Sequence, residues 1–367
     1  MRRSLTACGA ALAATAVVTT MGPSQAEPRT KAGTTAATWS IAQTNTLPGE
    51  DGIKAISVAP TGSTWAAGYQ SSNGKSVPLV QHLLNGKWTT AKSPSSALGE
   101  ISALSASSSK NVWAFGTTGS GTFAARWNGS AWSRTTVTTG RYDAVDASAL
   151  SASNVWAVGG DETTTAMHWN GTSWKKVALP APARAIAGVS STHVYAGGTY
   201  KNQPAVMHWT GSAWKLAATP KFTLPEPDAV GVISDVYAPS ASNVWASGGI
   251  DWPCGEDGDD TCTQPVLLHW DGAKWSSQTF PQGYGGYTRV TGDGGSGVWL
   301  LRGAWDPQLT HVVGGSVTNV TAPRPSGHDI NLTALAVKDS TVWAAGAAFP
   351  EGDPDDPTGN GVYLATG

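Results

Sequence analysis

The chain has 367 residues, of which 23 are Lys or Arg and 25 are Asp or Glu, for a formal charge of −2. Charge this sparse and balanced, without a basic block, excludes the phosphate-driven mode of nucleic-acid binding and electrostatic docking on anionic membranes. Eighteen tryptophans and 44 glycines, with no long helical periodicity, describe many short strands joined by turns.

Residues 1–26 read as a secretory signal peptide. Arg2 and Arg3 precede an apolar, alanine-rich run from Gly9 to Val18, and small residues lead to a cleavage point after Ala26. No other apolar run reaches the roughly 18–20 residues of a membrane span. An exported, extracellular, soluble monomer is expected, with neither nucleic acid nor membrane as partner. Loss of the leader removes only Arg2 and Arg3, so the formal charge becomes 21 − 25 = −4. Residues 27–37 read as a polar linker and residues 38–367 as the folded domain. The mature chain keeps Cys254 and Cys262, eight positions apart. In an exported protein such a pair predicts a disulfide. Closing so short a loop contributes roughly 2–3 kcal/mol on the chain-entropy model, enough to stiffen a loop but not to hold a fold.

Within 38–367 one unit recurs. It is most complete at residues 151–174, SASNVWAVGGDETTTAMHWNGTSW, where alternating apolar runs bounded by Gly, Asn and Ser predict strands. Asn170-Gly171 predicts a type I′ hairpin turn. A short small-residue strand from Ala147 to Leu150 precedes them, making four strands per unit. The second-strand motif stands at Trp65, Trp113, Trp156, Tyr195, Trp245, Trp299 and Trp343. Its mean spacing, (343 − 65)/6 or about 46 residues, suits a four-stranded propeller blade. The last unit ends where its fourth strand should begin. A matching strand, Thr38-Trp39-Ser40-Ile41-Ala42-Gln43-Thr44, stands instead at the front of the domain. The expected fold is an all-β, seven-bladed β-propeller of four-stranded blades, its ring closed by the N-terminal strand completing the last blade.

These units resemble the WD40, tectonin and Asp-box families of propeller repeats, in a Trp-rich secreted bacterial form. Trp169-Asn170 and Trp270-Asp271 stand where WD40 repeats carry Trp-Asp, and Gly62-Ser63-Thr64-Trp65 is similar to tectonin and Asp-box strand turns. Pro60 occupies the Asp-box aspartate position, so the resemblance implies the fold without sialidase activity.

Sixteen tryptophans are repeat residues, expected to pack between blades. His168, His208 and His269, with Arg126, share one third-strand position, which predicts hydrogen-bonded structural groups between blades rather than metal ligands. The long variable segments, including 250–264, 281–287 and 347–360, all fall on one face. The two surplus tryptophans, Trp252 and Trp305, adjoin Asp251 and Asp306 in loops of the fifth and sixth blades, with Tyr284 and Tyr287 between them. Aromatic rings flanked by carboxylates suit sugar rings, so these six residues form the expected ligand site of a non-enzymatic, lectin-like propeller. Its expected partner is a glycan or polysaccharide. Two alternatives stand beside it: a glycoside hydrolase or lyase using acids ahead of the inner strands (Asp51, Glu100, Asp143, Asp228, Asp329), and a scaffold for another exported protein. No cofactor or metal is expected. The acidic loop between Cys254 and Cys262 raises calcium but lacks the spacing of a dedicated calcium loop.

Overall fold

The computed structural model describes residues 37–367 except 96–97, 119–120, 140–143, 160–162, 256–257, 259, 284, 304–306 and 353–358. The expected leader, nearly all of the linker, and Asp143, Tyr284, Trp305 and Asp306 therefore lie outside the described residues. Among those described, 28 strands form seven antiparallel sheets of four, without a helix. In six sheets the strands lie in chain order from first to fourth. In the seventh, Trp39–Thr44 pairs with Asn360–Thr366, matching Trp39 to Thr366 and Ile41 to Leu364. The front strand thus closes the ring and leaves no blade short of a fourth strand.

The turns correct one expectation. Four of the five tryptophan-bearing hairpins are not two-residue turns. Their Trp partners, Trp127 with Trp132, Trp169 with Trp174, Trp209 with Trp214 and Trp270 with Trp275, enclose four residues. In three of these the first side chain serves as the turn's acceptor: Asn128 Oδ1 takes the amides of Ser130 and Ala131. Asn170 and Asp271 do the same in their blades. Among the third-to-fourth-strand hairpins, Asn85-Gly86 and Gly314-Gly315 have left-handed backbone at both central positions, as do Asn73-Gly74 and Lys201-Asn202 between second and third strands; a two-residue type I′ turn requires it.

Seven apolar clusters hold the ring, one at each junction between blades. Their shared device is a pair of rings. At four junctions the fourth-strand tryptophan of one blade stands edge-on against the second-strand tryptophan of the blade before it. Trp88 meets Trp343, Trp174 meets Trp113, Trp214 meets Trp156 and Trp39 meets Trp299, with centroids 5.2–5.7 Å apart and planes at 87–89°. Edge-to-face is the arrangement the aromatic quadrupole favours. The indole N–H groups of Trp39, Trp88, Trp156 and Trp214 are buried without an oxygen or nitrogen acceptor. All four belong to these pairs, where a ring edge meets a π face.

The other side of the second-strand ring is covered within its own blade. His82, His168, His208, His269 and His311 stack on Trp65, Trp156, Tyr195, Trp245 and Trp299 at 3.7–4.7 Å, and Arg126 lies over Trp113. Most are anchored on the turn that starts the second strand: His168 on Asn154, His269 on Asn243, Arg126 on Asn111 and His311 on Asp293. The histidines are structural as expected, but they act within a blade rather than between blades. Burial lowers the pKa of His82, His168, His208 and His269, favouring the neutral ring.

A sealed polar cluster locks the seam. Asp51 Oδ1 accepts from Asn45 Nδ2 and from the amide of Gly361, while Asn45 and Gln81 exchange side-chain bonds and Tyr363 donates to Gln81. Asp51 is fully buried. Desolvation raises its pKa against the pull of those two donors. Asp51→Ala should cost about 1–3 kcal/mol, because buried donors lose their acceptor. The change should appear as a lower urea midpoint at unchanged slope. Glu100→Ala, which removes an exposed partner of Lys54, should cost less than about 1 kcal/mol in the same assay.

Candidate functional site

Each inner strand carries one extra residue, a bulge that turns the next side chain toward the axis. The register slips across Lys54, Ser102, Arg184, Ser234, Thr288 and Thr333. In blade 3 the amide of Val145 and the Cα of Asp146 both face Val158. The residue after the bulge is alanine in four blades (Ala55, Ala103, Ala185, Ala334). In the other three it is Asp146, Asp235 and Arg289. All seven inner strands line one cavity of about 110 Å³, into which Lys54, Arg184, Asp146, Asp235 and Arg289 contribute. This is the axial channel, and its collar is charged.

The two aspartates are bound into the sheet frame. Asp146 accepts from the amides of Ala147 (2.8 Å) and of Ile186 in the next blade (2.7 Å). Asp235 accepts from Val236 (2.9 Å) and from Val290 in the next blade (2.7 Å). Serines do similar work two positions further on. Ser57, Ser105 and Ser148 accept the amides of Ala106, Ala149 and Gly188, each in the following blade. The acids thus staple blade to blade. Protein surrounds both carboxyls in a narrow column of solvent, and desolvation leads the upward shift of each pKa. Asp146 rises to about 7, with the charge of Asp235 adding to desolvation and two amides and Arg289 opposing. Asp235 is raised too, against Arg289 and its own amides.

Of the acids expected at the channel mouth, the four described are dispersed, and Glu100 alone among them is seen to touch a collar residue. Asp51 sits in the closure seam. Glu100 pairs with Lys54 at 2.9 Å and Asp329 with Arg324 at 2.6 Å, while Asp228 is exposed on the segment before the blade-5 inner strand. The expected loop site also changes character. Trp252 is not in a loop: the second strand of blade 5 runs Asn243–Cys254 and the third Asp260–Trp270, pairing Trp252 with Cys262. Its ring is half-buried against the core shared by blades 4 and 5. Asp251 accepts from Thr263 Oγ1 at 2.6 Å. Tyr287 is a core residue, 3% exposed, its hydroxyl donating to Thr310 and its ring edge-on to Phe280. Of the expected ligand residues described, Tyr287 is thus buried, Trp252 half-buried and Asp251 engaged by Thr263. Cys254 and Cys262 form a disulfide with Cα atoms 5.7 Å apart, across the tip of that strand pair. The described residues contain no cluster of three His, Cys, Asp or Glu able to hold a metal ion.

A difference in pH dependence should isolate Asp146. Its folded pKa exceeds the unfolded value of 3.8, so its protonated form stabilises the fold at low pH, and that contribution is lost as pH rises toward 7. Asp146→Asn has no charge to desolvate but loses one acceptor, a pH-independent offset. The stability of the variant relative to wild type should rise between about pH 4 and 7 and level off above. Denaturant titrations across that range measure it, and a flat difference would show that Asp146 titrates normally.

No family model matches this chain, and no curated protein matches it. Solved structures do. The structure of U3-55K aligns with a TM-score of 0.59 at 10% identity, over 89% of this chain and 98% of that one. The RRP9 WD40 repeats align at 0.58 and 11% identity over 90% and 98% of the two chains. YCF48 bound to D1 peptide aligns at 0.54 and 13% identity over 88% and 94%. At such identities the likeness concerns architecture alone, and that architecture is shared nearly end to end: this chain is a seven-bladed β-propeller.

Proposed function

We propose that this chain is an exported, non-catalytic binding propeller whose long-loop face holds a segment of another protein. One observation carries the reading. The inner strands of blades 5 and 7, Val230–Ser240 and His328–Lys338, begin well before their bulges and pair upward with extended second strands. They stand as raised walls on the face from which the channel collar is entered. Val230 and Val145, exposed by 41% each, lie at the top of blade 5 and at the collar of blade 3, offering apolar contact near the axis. A rigid ring with projections on one side is a common binding platform.

The collar chemistry supports binding over turnover, because its two carboxyls are occupied with backbone amides of neighbouring blades. Among the structural neighbours, the YCF48 structure holds a D1 peptide, which makes a peptide ligand the natural first test. The lectin reading, centred on Trp252 and Asp251, has less support, since that ring packs on the blade core and that carboxylate is engaged by Thr263.

A photo-crosslinking residue at Val230 should yield an adduct of one discrete protein mass in the producing organism's culture. The adduct should be absent when the probe is moved to Leu216, an exposed fourth-strand position. If no protein adduct forms at Val230 while insoluble polysaccharides deplete the protein from solution, the glycan reading replaces this one.

A further inference from the structure

At six junctions the following blade contributes an outer-strand tryptophan to the shared core, edge-on at four of them; at the junction of blades 5 and 6 it contributes none. Blade 6 has no tryptophan in its outer strands. Register places Val312 and Val317 opposite each other, where blades 2 to 5 pair Trp127 with Trp132, Trp169 with Trp174, Trp209 with Trp214 and Trp270 with Trp275. Val317 therefore stands where the edge-on indole belongs, and it is 41% exposed.

The ring it should cover is Trp245. Every other second-strand ring of the repeat is buried, from Trp113 at 0% to Trp343 at 7%; Trp245 is only half-buried. One face is stacked on His269 at 3.7 Å, and Asn243 holds that imidazole in place. The remaining surface of the indole borders a pocket of about 370 Å³ between blades 5 and 6, lined also by Leu267, Gln278, Ser296, Val312 and Gly315. A second cavity of about 200 Å³ adjoins the same indole and Ser296, beside Tyr237. The pocket opens on the outer rim toward the short-turn face, away from the long-loop face described above.

We propose that this pocket is a docking site for an exposed tryptophan side chain of a partner protein. The occupant follows from the molecule's own geometry. At four junctions an indole fills the corresponding place, edge-on to a second-strand indole already fixed on its other side. An indole supplied from outside would rebuild that contact on Trp245. Gln278 and Ser296 supply acceptors for its N–H, and the apolar floor of Leu267 and Val312 covers its ring. A buried aromatic anchor in a preformed pocket is the usual centre of binding energy in a protein interface.

The test needs no knowledge of the partner. N-acetyl-L-tryptophanamide is titrated into the folded propeller and followed by saturation-transfer NMR of the probe's indole protons. Wild-type protein should show saturable transfer. Val317→Trp, which fills the vacancy from within, should weaken it at least ten-fold and raise the thermal midpoint. Ser277→Arg, on the exposed rim of the pocket, should also weaken it, and it keeps the test decisive if the larger substitution fails to fold. No transfer in wild type, equal transfer in the variants, or saturable binding of glucose or N-acetylglucosamine in place of the indole would each overturn the proposal. Because the probe replaces the partner and the pocket is remote from Val230, a failed crosslink on the long-loop face leaves this result unaffected.

Discussion

No blade of this propeller can bury its own second-strand ring; only the next blade can. A tryptophan removes some 150–250 Å² from water when covered, worth about 4–6 kcal/mol at 25 cal/mol per Å² as an upper bound. The edge-to-face contact adds about 0.5–1.5 kcal/mol. Burial therefore dominates, and the geometry selects which ring does the covering. Because six of the seven junctions take an indole from the following blade, the units support one another as a closed cycle. That arrangement explains why Trp39 is placed before the first complete blade: it covers Trp299 from the last sheet, and its strand closes the ring.

The charged collar follows from the same cyclic constraint at smaller radius. Near the axis there is no room for large rings, so alanine holds the post-bulge position in four blades. Junctions there are made by hydrogen bonds across blades, from Ser57, Ser105, Ser148, Asp146 and Asp235. An aspartate accepts amides at greater reach than a serine, at the cost of desolvating a carboxylate; Arg289 offsets part of that cost for both acids. A titrating group in a channel is easily read as catalytic. Here its elevated pKa has a structural cause.

Most of the fold was legible in the sequence because ring packing leaves a periodic trace: a bulky second-strand residue about every 46 positions, and a displaced copy of the fourth strand at the front. Turn geometry was not legible. Asn-Gly fits both a two-residue turn and a four-residue loop capped by the Asn side chain, and the difference lies in whether the flanking tryptophans pair directly. The strand character of part of the expected site was not legible for a related reason. Trp252 and Asp251 sit in a Gly-, Asp- and Cys-rich stretch that lacks strand periodicity, yet backbone pairing extends through it to the disulfide. Asp146, Asp235 and Arg289 escaped notice because their shared position depends on a one-residue bulge. Aligning Ile53-Lys54-Ala55 with Ile101-Ser102-Ala103 and Ile233-Ser234-Asp235 would have exposed it. The gap at blade 6 leaves a trace in the sequence, Val313-Gly314-Gly315-Ser316-Val317 where blades 2 to 5 carry tryptophan on both sides of the turn, but the ring it uncovers could be named only from the register.

The central claim is that rings lent by the following blade protect the junctions, and that one junction lacks them. Native-state hydrogen exchange tests it most directly, comparing the second strands of blades 3 and 5, Asn154–Val158 and Asn243–Cys254. The account predicts that amides around Val244 and Trp245 exchange at a lower free energy of opening than those around Val155 and Trp156, which lie beneath Trp209 and Trp214. Equal protection of the two strands would contradict it, and would mean that backbone pairing alone, without the borrowed indole, sets the stability of the ring.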